Sequence, residues 1–481
     1  MPELPIATGF YEDASKPIAS QECTNLLPQV PQTNALSQAQ LVQTPGINEF
    51  ADTGNFAARG EHEMGSLAYS VNGNTLYRIN SDGTDTSLGT ITGSGKVSIA
   101  DNGLQMCIVV PGSTAYIYSV AGGLVTITDT DFTTTLGPSQ QVVYKDGFFT
   151  HFNNSSAASS QPIFFISNLN DGTAYDALDF GTAEVDPDAI TALHVNRNQL
   201  YVGGRITIEP FQNIGGAGFP YQRIPGAVVQ KGIRAKFTAK DFDNSYVFVG
   251  GGVNEKPAVW RFTGGGASKI STAAIDNILQ GLNEGELAAI FSSVYSENGA
   301  FIYYLHLNDR TFGYDAGTQK WHERKSKNSF GQLVNWRVNG ILEAYGKILV
   351  TDNQSGKIGE MDKDIYTEYG DSIQRIVSTT PFNSDGNHLG FPEMEITCES
   401  GTANITGAGS DPYISRSFSD DGGYTFGNTT KRSLGLQGEY NKRQIWRREG
   451  QASRFRIYRF VVDEPIKMSI IKLEGDIEVT R

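Results

Sequence analysis

The chain has 481 residues, of which 54 are glycine, 11% aromatic and only 19% charged, and 52 acidic against 38 basic side chains leave it at −14. Abundant glycine with sparse charge suits a turn-rich β protein, and aromatic and β-branched residues recurring every few positions argue against disorder. An acidic balance has the wrong sign for gripping phosphate, which counts against a DNA-gripping surface but not against a smooth acidic wall.

No run approaches the roughly 18 apolar residues of a membrane helix, and Met1-Pro2-Glu3-Leu4-Pro5 lacks the basic and apolar pattern of a secretory leader, so synthesis in the cytoplasm is expected. Cys23, Cys107 and Cys398 are far apart and without C-x-x-C spacing. They are expected to be plain thiols, neither a disulfide framework nor a zinc site.

In chain order, residues 1–55 are rich in Pro, Gln, Asn and Thr and show no sustained period, which predicts an extended N-terminal arm. Lacking a core of its own, the arm is expected to clasp a neighbouring subunit or another partner protein, and its removal over residues 2–45 is expected to leave a folded protein that cannot assemble. Residues 56–372 change to strand-and-turn spelling, as in Thr75-Leu76-Tyr77-Arg78-Ile79 followed by Asn80-Ser81-Asp82-Gly83. Similar runs include Ala115 to Tyr118, Phe164 to Ile166, Gln199 to Val202, Tyr246 to Val249, Ala300 to Leu305 and Lys347 to Val350. Their spacing of roughly 30 to 50 residues suits the blades of a β-propeller, although no crisp repeat signature is shared.

Helical signals interrupt the pattern between Ser271 and Val294. Ser271-Thr272 can cap Ala273-Ala274-Ile275, and Asn283-Glu284-Gly285-Glu286 can open Leu287 to Ile290. Residues 373–481 hold period-two segments, notably Glu393 to Thr397 and Phe455 to Val462, and read as a C-terminal β-sandwich-like domain. The expected class is therefore all-β, with a propeller core between the arm and the sandwich.

Local motifs point away from catalysis. The six histidines are scattered without i, i+4 pairing, and His62-Glu63-Met64 is not H-E-x-x-H because residue 66 is Ser, so no metal site is expected. Gly93-Ser94-Gly95-Lys96 imitates the end of a phosphate loop but continues into Val97, and reads as a hairpin turn. No G-x-S-x-G elbow occurs. The pairs Asp420 with Asp421 and Asp186 with Asp188 have the makings of glycosidase carboxylates, yet acids in glycine-rich turns usually hold backbone N–H groups.

Ser419-Asp420-Asp421-Gly422-Gly423-Tyr424-Thr425-Phe426 looks like the Asp-box of sialidases, a structural hairpin, with Ser419, Asp421, Gly423 and Phe426 as its key residues. Sialidases repeat the box between blades and add an arginine cluster, a Tyr nucleophile and a Glu, whereas one copy occurs here. A sialidase-like propeller glycosidase and a glycan-binding adhesin stay open as alternatives. No catalytic residue, cofactor-binding residue or cofactor is expected.

Several blocks together resemble one family. Cys23-Thr24-Asn25-Leu26-Leu27-Pro28-Gln29 with Thr44-Pro45-Gly46-Ile47 is followed by Gly93 to Ala100, Tyr175 to Phe180 with Ala183-Glu184 and Pro187-Asp188, and Arg223-Ile224-Pro225-Gly226 with Gln230 to Ile233. Ile270 to Ile275, Tyr314-Asp315, Trp321-His322-Glu323-Arg324, Ser419 to Phe426 and Phe460 to Pro465 continue the order. This arrangement is similar to the tail hub or nozzle proteins of short-tailed bacteriophages, also called packaged DNA stabilisation proteins, although Gln29 stands where that family usually has Glu.

The resemblance implies a non-enzymatic virion tail component, a hexameric ring below the portal and adaptor proteins. It also implies tailspikes or fibres attached outside, a needle or tip closing the end, and double-stranded DNA passing through without sequence-specific binding. An acidic lumen would repel phosphate and keep sliding DNA from sticking.

Overall fold

The computed structural model describes residues 1–480 apart from Gln32, Glu184, Pro187, Ala217, Asn298 and Asp385. Glu184 and Pro187 of the family block thus lie outside the described residues.

Seven antiparallel sheets follow one another around an axis. The first runs outward from Ala58–Met64 to Asp85–Thr90, the second from Ser98–Asp101 to Gly123–Thr126, the third from Val142–Lys145 to Asp171–Thr182, and the fourth from Ile190–Asn196 to Tyr221–Arg223. The fifth has its inner strand in two pieces, Gly232–Ile233 and Lys240–Phe242, and ends at Ala267–Lys269. The sixth spans Phe291–Glu297 to Trp321–Lys327. The seventh uses Val338–Ala344, Lys347–Asp352 and Lys357–Asp362, and its outermost strand is Gly46–Asp52 from the other end of the chain.

Each sheet buries apolar side chains on both faces, so every interface between neighbours has its own core. Val71 and Leu76 meet Met106 and Ile108 between the first and second blades, and Phe149 and Phe165 meet Cys107 and Val109 between the second and third. The series continues until Ala51, Leu349 and Ile358 of the seventh blade meet Ala68 and Ile79 of the first. This last cluster closes the ring, and Gly46–Asp52 supplies part of it.

The C-terminal unit is a sandwich. In one sheet His388–Cys398 pairs with Ser469–Thr480 and Gln444–Arg447; in the other Phe455–Val462 lies between Arg375–Ser378 and Tyr413–Ser419. Trp446, Tyr458, Phe460, Ile396 and Leu473 fill the space between them.

The expected arm is laced through both units of its own chain. Glu3–Leu4 pairs with Ser469–Thr480, Gln40–Gln43 adds to the same sheet, and Leu4, Ala7, Leu26 and Leu41 are part of the sandwich core. Leu4, Ala7, Leu26 and Leu41 are therefore spent within the subunit, and removing residues 2–45 would strip them from that core, contrary to the expectation of an intact fold.

The strand Cys23–Thr24 joins the two units. It pairs parallel with Trp321–Lys327 of the sixth blade and antiparallel with Arg375–Ser378 of the sandwich, so the blade and the sandwich sheet form one 11-stranded sheet. Asn25 follows in a left-handed conformation, φ 55°, and is fully buried. Its amide nitrogen donates to the carbonyls of Lys325 (3.0 Å) and Gln374 (2.8 Å), and its oxygen accepts from the Lys325 N–H (3.0 Å). The neighbouring family block closes over this point: Arg324 donates to the Pro45 carbonyl, and a Cβ on Gly46 would stand 2.4 Å from the Ile365 carbonyl oxygen.

Two helices lie between the fifth and sixth blades where their caps were read. Thr272 accepts from the Ile275 N–H to start Ala273–Gln280, and Asn283 and Glu286 form a capping box on Glu284–Ala289. The helical reading overran at its end, because Ile290 is extended and Phe291–Glu297 is the inner strand of the sixth blade.

Asn25→Ala should lower unfolding free energy by about 4 kcal/mol in urea denaturation, because it orphans buried backbone groups and keeps a strained φ. Asn25→Gly should recover only the backbone part, about 1 kcal/mol. All three thiols are buried and free, and burial pushes Cys23 up to about 12 and Cys107 and Cys398 higher still. None should react with a disulfide reagent at pH 8 in the native protein, and all three should react after unfolding.

Candidate functional site

Charge is distributed unevenly along the chain. Residues 79–196 hold twelve acidic and two basic side chains, and so carry ten of the fourteen net negative charges. This stretch runs from the outer strand of the first blade to the inner strand of the fourth. Asp82 and Asp85 sit at the first blade, Asp129 and Asp131 at the turn leaving the second, and Asp171, Asp176 and Asp179 on the long outer strand of the third.

Asp129 and Asp131 accept from the backbone N–H groups of Tyr175 (3.4 Å) and Ala177 (3.2 Å), which ties the second blade's exit to the third blade's rim. Burial and the charge of Asp176 raise the Asp179 carboxyl above the ordinary range. Of the two bases, Lys145 is taken by Asp146 at 2.5 Å and Lys96 lies at the axis. These blades thus carry an acid-rich arc over residues 79–196, with Arg59 and Arg78 of the first blade lying just before it in the chain.

The propeller axis encloses a cavity of about 610 Å³ lined by all seven inner strands or the residues leading into them. At the end where those strands begin, two lysines reach sideways to other blades. Lys96, ahead of the second blade, donates to the carbonyl (3.0 Å) and side-chain oxygen (3.1 Å) of Asn339 in the seventh and lies 3.8 Å from the Phe291 ring centre in the sixth. Lys236, from the gap in the fifth blade's inner strand, reaches Gln140 ahead of the third at 3.3 Å. Further along the axis, His62 bonds Asp101 at 2.6 Å and His194 bonds Asp241 at 3.0 Å. Two lysines thus tie inner strands of separate blades to one another beside this cavity, and Gly93 to Lys96 forms a connection between blades instead of the expected hairpin.

The Asp-box residues do come together, but on the sandwich and not at a blade edge. The Ser419 hydroxyl accepts from the Gly423 N–H at 2.8 Å, and Asp421 accepts from the N–H groups of Tyr424 (2.9 Å) and Thr425 (3.0 Å). The Ser419 hydroxyl also donates to Asp421 at 2.6 Å, and this bond, with those from Thr425 and Tyr424, holds the Asp421 carboxyl well below the usual carboxylate range. Gly423, φ 93°, backs onto Ser20, and the Phe426 ring lies 3.5 Å beneath the Arg459 guanidinium that pairs with Glu22. The box thereby clamps residues 17–22 of the N-terminal segment to the sandwich.

Of the other carboxylates considered, Asp420 and Asp188 are also engaged. Asp420 makes two 2.7 Å bonds to the buried Arg456, and Asp188 accepts from the Ile206 N–H at 2.9 Å. Arg416 and Glu449, 4% and 6% exposed, pair inside the same sandwich beside Tyr458. Arginines, a Tyr and a Glu are therefore present together, but they face one another in a core.

His151 and His322 are buried in the blades, where desolvation pushes both down to about 3. His306 is likewise held far below its usual range by burial and by Lys96. No group of His, Cys, Asp and Glu suited to a metal occurs among the described residues.

Because the Asp421 carboxylate is favoured by the fold, its contribution is present above the unfolded carboxyl range and lost only as pH falls through the depressed folded value. Amide exchange at Tyr424 and Thr425 should therefore stay slow at pH 3, and Asp421→Ala should accelerate both amides at neutral pH as well.

Residues 2–366 match the family described as the β-propeller of bacteriophage P22 Gp10, and residues 374–478 match its β-sandwich. The tail hub protein gp10 of Salmonella phage P22 is 25% identical over 451 residues, covering 90% of each chain. Among solved structures, the extracellular domain of a one-component system from B. thetaiotaomicron aligns with 9% identity and a TM-score of 0.43, over 78% of this chain and 46% of that one. The WD40 β-propeller domain of Doa1 aligns with 11% identity and a TM-score of 0.39, over 66% and 96%. With one family spanning propeller and sandwich in the same order, the chain belongs to the bacteriophage P22 Gp10 family.

Proposed function

We propose that this protein is the structural tail hub of a short-tailed phage. Six copies form a ring below the portal and adaptor, retain the packaged genome, enclose the channel through which it leaves, and carry tailspikes or fibres outside with a needle or tip at the end. The observation that carries this reading is the collinear match to a tail hub protein over 90% of both chains. A hub works without catalysis, in keeping with the engagement of Asp420 by Arg456 and of Asp421 by turn amides.

In this reading the DNA path is the axis of the six-copy ring, between subunits, and not the centre of one propeller. The acidic arc of the first three blades is the surface best suited to wall it. Uncompensated carboxylates repel phosphate and deny a sliding duplex any counterion-release gain.

Cryo-electron microscopy of virions should find six copies around the tail axis beneath the adaptor, with the arc facing inward. Peripheral trimers would overturn the hub and return the glycan-cleaving and glycan-binding readings. Phage carrying Asp85→Lys with Asp176→Lys should eject DNA about threefold more slowly at low salt and recover at high salt. An unchanged rate would remove the arc from the lumen.

A further inference from the structure

Charge reverses sign where the acid-rich arc ends. Residues 197–269, from the first hairpin turn of the fourth blade to the last strand of the fifth, hold ten basic and four acidic side chains. Each of the four acids is paired: Glu209 with Arg223, Asp243 with Arg261, Glu255 with Lys231 and Asp241 with His194. Arg197 is not. It donates to the Asn244 carbonyl at 2.9 Å, and its other N–H groups make no bond among the described residues.

Arg197 stands on a cavity of about 480 Å³ between hairpin tips of the fourth and fifth blades. One tip joins Ile190–Asn196 to Gln199–Gly204, and the facing tips follow Lys240–Phe242 and Ala258–Phe262. The bond from Arg197 to Asn244 runs from one side to the other. Arg197 has a left-handed φ of 54°, and Asp243 and Asn244 opposite it have 46° and 57°. The turn thus places a guanidinium where glycine would sit without strain.

The floor is aromatic. Phe262, half-buried, stacks on Tyr246 at 4.8 Å and meets Tyr201 edge-on at 5.2 Å, and the Ser245 hydroxyl fixes it by donating to its carbonyl at 2.6 Å. Burial raises the Tyr201 phenol and the Arg197 charge opposes that rise, so the guanidinium is within electrostatic reach of the floor. Neutral polar groups complete the lining. The Tyr201 hydroxyl donates to Gln199 Oε1 at 2.7 Å, which leaves the Gln199 NH2 group unbonded. The amides of Asn198 and Asn244 and the Thr263 hydroxyl make no hydrogen bond among the described residues.

We infer that this pocket is a binding site for a carboxylate-bearing pyranose, a sugar of the uronic- or sialic-acid class. Arg197 meets the carboxylate through its unbonded N–H groups, the amides and the Thr263 hydroxyl meet ring hydroxyls, and an apolar C–H face of the sugar packs on Phe262. A small inorganic anion would leave the amides and the ring unused, and a neutral sugar would leave the guanidinium without a countercharge. The inference concerns the propeller alone and does not depend on the hub reading.

Calorimetry of the purified full chain at low ionic strength and pH 7, with trigalacturonate, a hyaluronan tetrasaccharide and sialyllactose in turn, should show at least one of them bound at one site per chain. The methyl ester of that sugar should bind about tenfold more weakly, the scale of losing a charge-assisted hydrogen bond. Arg197→Gln should weaken the acid by a similar factor and leave the ester unchanged. Lys256→Gln removes a cation from the turn at the far end of the fifth blade, between Ser245–Gly251 and Ala258–Phe262, and should change affinity less than about twofold.

In the unmodified chain the bound sugar should slow amide exchange over residues 196–201, 243–246 and 261–264, a measurement that needs no variant to fold. Absence of heat with all three sugars, or protection confined to other segments, overturns the site. Equal affinity for acid and ester, or equal weakening by both substitutions, would mean unspecific attraction to the basic sector and would overturn it as well.

Discussion

The architecture depends on a two-residue strand. Cys23–Thr24 hydrogen-bonds to a blade on one side and to the sandwich on the other, and the buried amide of Asn25 completes the same junction. Backbone pairing across an inter-domain joint is stiffer than side-chain contact, because shifting it costs several buried hydrogen bonds together. The sandwich is consequently held at one orientation to the ring. A charge arc on blades at one side of that ring then points in a fixed direction with respect to everything the sandwich touches.

Strands were legible in the sequence wherever one short run carried its own alternation. Thr75–Ile79 and Phe455–Val462 have the limits that their spelling gives, and the caps at Thr272 and Asn283 are local chemistry within four residues. The N-terminal segment was not legible. Its apolar residues Leu4, Ala7, Leu26 and Leu41 are sparse and separated by polar stretches, and the partners of Asn25 lie 300 and 349 positions away. Nor was the blade number, since the repeats share packing between sheets and not a motif.

The candidate surfaces divide along the same line. The Asp-box chemistry of Ser419 and Asp421 is contained in seven residues and was readable, whereas its seat on the sandwich against Pro17 and Ser20 was not. Lys96 looked like part of a turn because its acceptor, Asn339, is 243 positions away. The acidic arc was countable all along. It acquires meaning only when residues 79–196 are seen to be consecutive blades, where repulsion among acids is tolerated at an exposed rim.

The seventh blade also constrains the order in which this molecule can form. Its outermost strand, Gly46–Asp52, leaves the ribosome long before its partner Lys357–Asp362, and Glu3–Leu4 waits longer still for Ser469–Thr480. Closing such long loops is entropically costly and slow. The early segment must stay uncommitted while six blades accumulate, and an interrupted chain is left with an open ring, an unfilled sandwich and free strand edges. Ring closure thereby waits for residues 357–362, and the sandwich core waits for Ser469–Thr480 to meet Glu3–Leu4.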